Sequence, residues 1–110
     1  MHDLFRLLGD PTRLAILAAL LGGERSVGEL EGELQLAQPV VSKHLRHLRE
    51  GGLVEVRVDA QRRLYQLNPS ALRPLEAWLA PYRRMWTTHL DALARHLDRH
   101  PTSPKRRNNG

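Results

Sequence analysis

The stretch from Ala37 to Leu67, AQPVVSKHLRHLREGGLVEVRVDAQRRLYQL, constrains the fold more than any other. Val41, Leu45 and Leu48 recur at the four-and-three spacing of a helix with one buried face. Pro39, Ser42, Lys43, Arg46 and Arg49 fall on the other side. Gly51-Gly52 ends that helix. Val54, Val56 and Val58 then alternate with Glu55 and Arg57, the two-residue period of a strand. Asp59 to Arg62 reads as a turn, and Arg63 to Leu67 as the returning strand with Tyr65 and Leu67 on one face. The turn lacks the glycine usual in tight hairpins, which leaves its geometry open.

The residues before this stretch supply short helices. His2 to Leu8 is apolar-periodic and Gly9 ends it. Asp10-Pro11 opens a second helix, with Asp10 as N-cap and Pro11 in the first helical position. Leu14, Leu17 and Leu21 recur along it at helical spacing, joined by Ile16 and Leu20. Ser26-Val27-Gly28-Glu29 has the spacing of a capping box, which starts a third helix with Val27, Leu30 and Leu34 as its buried stripe. Gln35 to Ala37 is a tight connection, and the fourth helix runs from about Gln38 to Glu50.

After the hairpin, Asn68-Pro69-Ser70 breaks the pattern. Leu75, Leu79, Tyr82, Trp86, Leu90, Leu93 and Leu97 then form a long apolar seam at helical spacing. Pro81 is expected to kink or split that helix. The predicted class is mostly α with a small β-hairpin, in the order α-α-α-α-β-β-α: a winged helix-turn-helix. Residues 1–98 form the domain, and 99–110 form a disordered basic tail.

The bulk numbers narrow the function. The chain has 110 residues and no cysteine, so disulfides, thiolate metal sites and cysteine nucleophiles are excluded. No apolar run spans a membrane and no signal-peptide pattern opens the chain, so a cytoplasmic location is expected. The net charge of +5 favours a polyanionic partner, although Lys105, Arg106 and Arg107 supply three of those charges. Between Gln38 and Arg63 six basic residues face three acidic ones, which places cation density on the helix and hairpin. No phosphate-cradling glycine loop or nucleophile–base pattern is present, so an enzyme is not expected.

A basic helix in this setting fits the major groove of double-stranded DNA. Gln38 and Pro39 stand in its first turn. Gln38 can bond adenine, Val40 can touch a thymine methyl, and Ser42 can reach a base edge or a phosphate. Lys43 and Arg46 suit phosphates, which position without reading sequence. His44 lies at the edge of the apolar face and is either a structural histidine or a further DNA contact. Arg57, Arg62 and Arg63 are either solvated ribbon charges or contacts to the flanking backbone and minor groove. Trp78, Leu79, Tyr82, Trp86, Leu90, Leu93 and Leu97 suit a homodimer face, or else they cover the chain's own core.

The sequence resembles the ArsR/SmtB family of bacterial winged-helix repressors over about residues 3–98. The resemblance rests on LLGDPTRLAILAAL, ERSVGEL, QPVVSKHLRHLREGGLV and RRLYQL. It implies a homodimer joined through the first helix, with Leu4 and Leu7, and the last. It also implies binding to an inverted-repeat operator and repression relieved by a signal. The segment that carries cysteines in thiolate-type sensors of the family has Ser26 and Gly28 here, which rules out that metal site. Ala37 stands where a small polar cap is usual, and alanine cannot cap.

No cofactor is expected, and the effector is unassigned. The alternatives are a nickel, zinc or cobalt sensor using His89, His96 and His100, or a winged helix used for protein assembly. His96 and His100 are one helical turn apart, but spacing alone is weak support.

Overall fold

The computed structural model describes residues 2–99. The elements run α1 (His2–Leu8), α2 (Pro11–Leu20), α3 (Val27–Leu34), α4 (Gln38–Glu50), β1 (Val54–Asp59), β2 (Arg62–Leu67), a 3-10 turn (Pro69–Leu72) and α5 (Arg73–Arg99). This is the expected order of a winged helix-turn-helix. The chain divides into two compact units, one ending at Leu75 and the other beginning at Glu76.

Local chemistry sets the helix ends of the first unit. The Asp10 carboxylate accepts the backbone N–H groups of Thr12 at 2.8 Å and Arg13 at 3.0 Å, satisfying two donors that a helix start leaves open. Ser26 and Glu29 form the reciprocal capping box: Glu29 N–H donates to Ser26 Oγ at 3.2 Å, and Ser26 N–H donates to the Glu29 carboxylate at 2.8 Å. Gln35 closes α3 in the left-handed region at φ 55°, which turns the chain sharply into α4.

The core gathers around α4. Ile16 and Leu20 of α2, Leu30 of α3, Val41, Leu45 and Leu48 of α4, and Leu53 and Val54 beyond it are all buried. Val27 and Leu34 pack partly buried against them, as the expected α3 stripe requires. Of the five apolar residues that recur along α2, Ile16 and Leu20 are buried and Leu17 packs partly buried against them, whereas the outer two turn to the surface. Leu14 is 48% and Leu21 79% exposed, and Ile16 and Leu20 carry the contact. That helix is apolar almost all round, so periodicity alone could not choose its inner face.

The exit of α4 is tied twice. Leu53 N–H bonds the Leu48 carbonyl at 3.0 Å, and Asn68 donates to the Gly52 carbonyl at 3.0 Å through its side chain. Gly52 takes φ +82°, a conformation that suits glycine.

β1 and β2 pair antiparallel, with Val54 opposite Leu67, Val56 opposite Tyr65 and Asp59 opposite Arg62. The turn is Ala60-Gln61, tighter than expected, with Ala60 at φ 57°. Val58, expected on the strand's apolar face, is 67% exposed because the hairpin runs out past the core. Leu64 is buried on the face opposite Tyr65 and Leu67, where no buried residue was expected. Arg25 adds a short third rung, exchanging backbone bonds with Tyr65 at 3.0 and 2.8 Å.

In the second unit, α5 runs unbroken through Pro81, so of the expected kink or split the split does not occur. The ring removes one N–H donor from a helix of 27 residues, a small loss beside the ladder on either side. α5 reaches Arg99, one residue past the expected domain boundary. The basic tail from residue 100 onward lies outside the described residues.

Candidate nucleic-acid interface

α4 divides sharply by burial. Val41, Leu45 and Leu48 are at most 1% exposed, whereas Gln38, Pro39, Val40, Lys43, Arg46 and Arg49 are exposed. Among the described residues, Lys43, Arg46 and Arg49 have no carboxylate partner. Ala37 makes no side-chain cap. Its carbonyl instead accepts the N–H groups of Val40 and Val41 at 3.0 and 3.1 Å, and Pro39 has no N–H to satisfy.

Gln38 is oriented from within its own helix. Its amide nitrogen donates to Ser42 Oγ at 2.9 Å, which leaves the amide oxygen as an acceptor and the Ser42 hydroxyl as a donor. Ser42 itself is half-buried. Val40 adds an apolar contact point, 38% exposed, beside them. Amide, hydroxyl and methyl groups are therefore grouped near the start of the helix, and cations follow along its length.

His44 is placed differently from the other candidates. It is half-buried with Nδ1 3.5 Å from Arg13 Nη1. Arg13 is itself fastened to the end of α1, donating to the Leu7 carbonyl at 2.8 Å and the Arg6 carbonyl at 3.1 Å. His44 thus sits beside the joint between α1 and α2. His47 lines an open cleft of about 330 Å³ with Asp3, Arg6, Leu7, Arg13, Glu50 and Gly51.

The wing arginines have separate fates. Arg57 bonds the Glu24 carboxylate, with its Nε 3.3 Å from Oε2 and a second contact through Nη2. Arg62 reaches Glu29 at 3.3 Å, the carboxylate that also completes the α3 capping box. Arg63 has no ion pair among the described residues and is exposed. The charges respond to this pairing. The Arg57 hydrogen bond holds Glu24 below the ordinary carboxylate range, and Glu24 raises Arg57 in turn. The Ser26 backbone N–H lowers Glu29, and the Arg13 backbone N–H lowers Asp10. No local pattern points to Glu24 as a partner of the wing, since it precedes Arg57 by 33 residues.

On α5, Trp78, Tyr82, Trp86, Leu90, Leu93 and Leu97 are 42–64% exposed, and Leu79 is half-buried. Trp78 and Tyr82 stack with ring centroids 4.8 Å apart. Leu4 and Leu7 of α1 pack, partly buried, against the first unit's core. Among the described residues no three His, Asp or Glu side chains are grouped to hold a metal ion, and His100 lies outside those residues. No helix among them is long and apolar enough to cross a membrane.

A capped helix, a tight turn, a second helix with an open cation-rich face and an antiparallel hairpin define a winged-helix DNA-binding regulator. Comparison with known proteins agrees. Residues 10–56 match the model of the bacterial regulatory proteins of the arsR family. An HTH-type transcriptional regulator of Mycobacterium tuberculosis is 39% identical over 86% of this chain and 85% of its own length. A biofilm growth-associated repressor of Agrobacterium fabrum is 42% identical over 70% of this chain and 67% of its own. The crystal structure of the transcriptional repressor BigR from Xylella fastidiosa has a TM-score of 0.59 at 35% identity, covering 74% of this chain and 84% of that one. The chain belongs to the arsR family and is a DNA-binding transcriptional regulator, not an enzyme.

Proposed function

We propose that the protein acts as a homodimer that binds an inverted-repeat operator and represses transcription from it. The observation that carries this reading is the open face of α4, where exposed Lys43, Arg46 and Arg49 follow a polar first turn. In the major groove Gln38, Val40 and Ser42 read base edges, and Lys43, Arg46 and Arg49 meet phosphates.

The dimer reading is supported by the α5 seam. Six large apolar side chains from Trp78 to Leu97 are too exposed for a stable lone surface. A second copy sharing a two-fold axis covers such a stripe and presents two α4 helices to successive grooves. Relatives named as repressors support the direction of regulation.

Fluorescence anisotropy with duplexes from the protein's own promoter tests the DNA reading. With about 6–10 phosphate contacts, affinity falls steeply with salt. Lys43→Ala and Arg46→Ala bind more weakly at unchanged thermal stability. Sedimentation of the free protein tests the dimer: the mass of two chains is expected, and one chain at micromolar concentration contradicts it.

A further inference from the structure

The three wing arginines do not stand alike. Residues paired across an antiparallel ladder share a face. The register pairs Asp59 with Arg62 and Arg57 with Leu64, so Arg57, Asp59 and Arg62 share one face. The other face carries Arg63 opposite Val58. The first face meets carboxylates at every arginine: Glu24 on Arg57, Glu29 on Arg62, and Asp59 beside them. The second face is open at its outer end, where Val58 is 67% exposed and Arg63 has no ion pair among the described residues.

An arginine already neutralised by a carboxylate releases few counterions when a phosphate arrives, whereas an uncompensated one releases about one. Glu29 is moreover held by the Ser26 N–H at 2.8 Å, so the partner of Arg62 is fixed to the start of α3. Glu24 lies in the connection just ahead of that helix, and Arg25 next to it bridges to Tyr65. The pairs therefore link the hairpin to the head of the helix-turn-helix.

We propose that Arg63 is the DNA-contacting residue of the wing, and that Arg57 and Arg62 are positioning residues that fasten the hairpin through Glu24 and Glu29. The assignment rests on α4 being the DNA-reading helix.

The test measures affinity of the full chain for its promoter duplex across a salt series, with thermal melts as the folding check. Arg63→Gln is expected to flatten the log–log salt slope by about 1 and weaken binding roughly five- to tenfold near 0.1 M salt. Arg57→Gln is expected to leave the slope unchanged. Arg57→Glu weakens binding, and adding Glu24→Arg restores it, because reversing the pair keeps the fastening. The proposal is overturned if Arg57→Gln flattens the slope as much as Arg63→Gln. It is also overturned if Arg63→Gln changes nothing, or if the reversed pair binds no better than Arg57→Glu. Lys43→Gln separates the two readings: a normal slope there removes α4 from the interface and this assignment with it.

Discussion

Gln38 and Ser42 are joined side chain to side chain at 2.9 Å, one turn apart on the exposed start of α4. The bond engages the amide nitrogen of Gln38 and leaves its amide oxygen as the outward acceptor. Such preorganisation lowers the ordering cost of binding. On the proposed function, base readout at this end of the helix is separate from the phosphate contacts of the cations further along it.

Gln38→Ala is therefore expected to lose about 1–3 kcal/mol of discrimination at one base pair, with the salt slope intact. Ser42→Ala releases the amide, giving a smaller loss at the same position together with the loss of its own base-edge contact. Competition between single-base variants of the site measures both. Equal weakening on every sequence contradicts the base-reading role.

Leu7 lies over the end of α4. A Cβ added at Gly51 runs into Leu7 Cδ1 and comes within 3.3 Å of its Cγ. Gly51→Ala is expected to cost no more than about 1 kcal/mol, because the Leu7 tip can turn aside and alanine loses less chain entropy on folding at this ordinary φ. Leu7→Ala in the same chain recovers part of that loss, which a double-mutant cycle in urea reads as coupling. Strict additivity contradicts the contact.

Ala60 holds φ 57° in the two-residue hairpin turn. Left-handed backbone costs a residue with Cβ about 1–2 kcal/mol, partly offset by the entropy of glycine. Ala60→Gly is expected to stabilise by about 0.5–1 kcal/mol. A lower urea midpoint contradicts this.

Acid should loosen the caps and the wing root. Asp10, Glu24 and Glu29 are held below their ordinary values of 3.8, 4.5 and 4.5. A carboxylate lowered in the folded state adds stability above its unfolded value, and that stability is lost as pH falls through the folded value. The melting temperature is expected to be level from neutral pH down to about 5 and to fall below about 4. Asp10→Asn with Glu24→Gln makes that fall shallower. A melting temperature that rises on acidification contradicts the pairing.

Local signals carried most of the fold. Asp10 with Pro11, and Ser26 with Glu29, are caps that act within one turn, so their spacing in the sequence is their geometry. The two faces of α4 were equally legible, because Val41, Leu45 and Leu48 alternate with charges. α2 was not, since Leu14 and Leu21 extend an apolar pattern that does not distinguish core from surface. Leu64 escaped because its neighbours Tyr65 and Leu67 set the apparent apolar face, and burial at 64 comes from residues distant in sequence. The candidate site split the same way. The exposed helix residues followed from periodicity, but the pairing of Arg57 with Glu24 spans 33 residues and has no local trace. His44 stood at the boundary of both faces, and only its position beside Arg13 shows which neighbour it takes.

The salt dependence of binding to the protein's own promoter duplex, compared between wild type and Lys43→Ala/Arg46→Ala, tests the role of α4 most directly. A steep wild-type slope that flattens by about 2 in the double variant, with the melting temperature unchanged, is the result expected of two phosphate contacts on one exposed helix face. A flat wild-type slope, or a double variant that binds as tightly as wild type at every salt concentration, contradicts it.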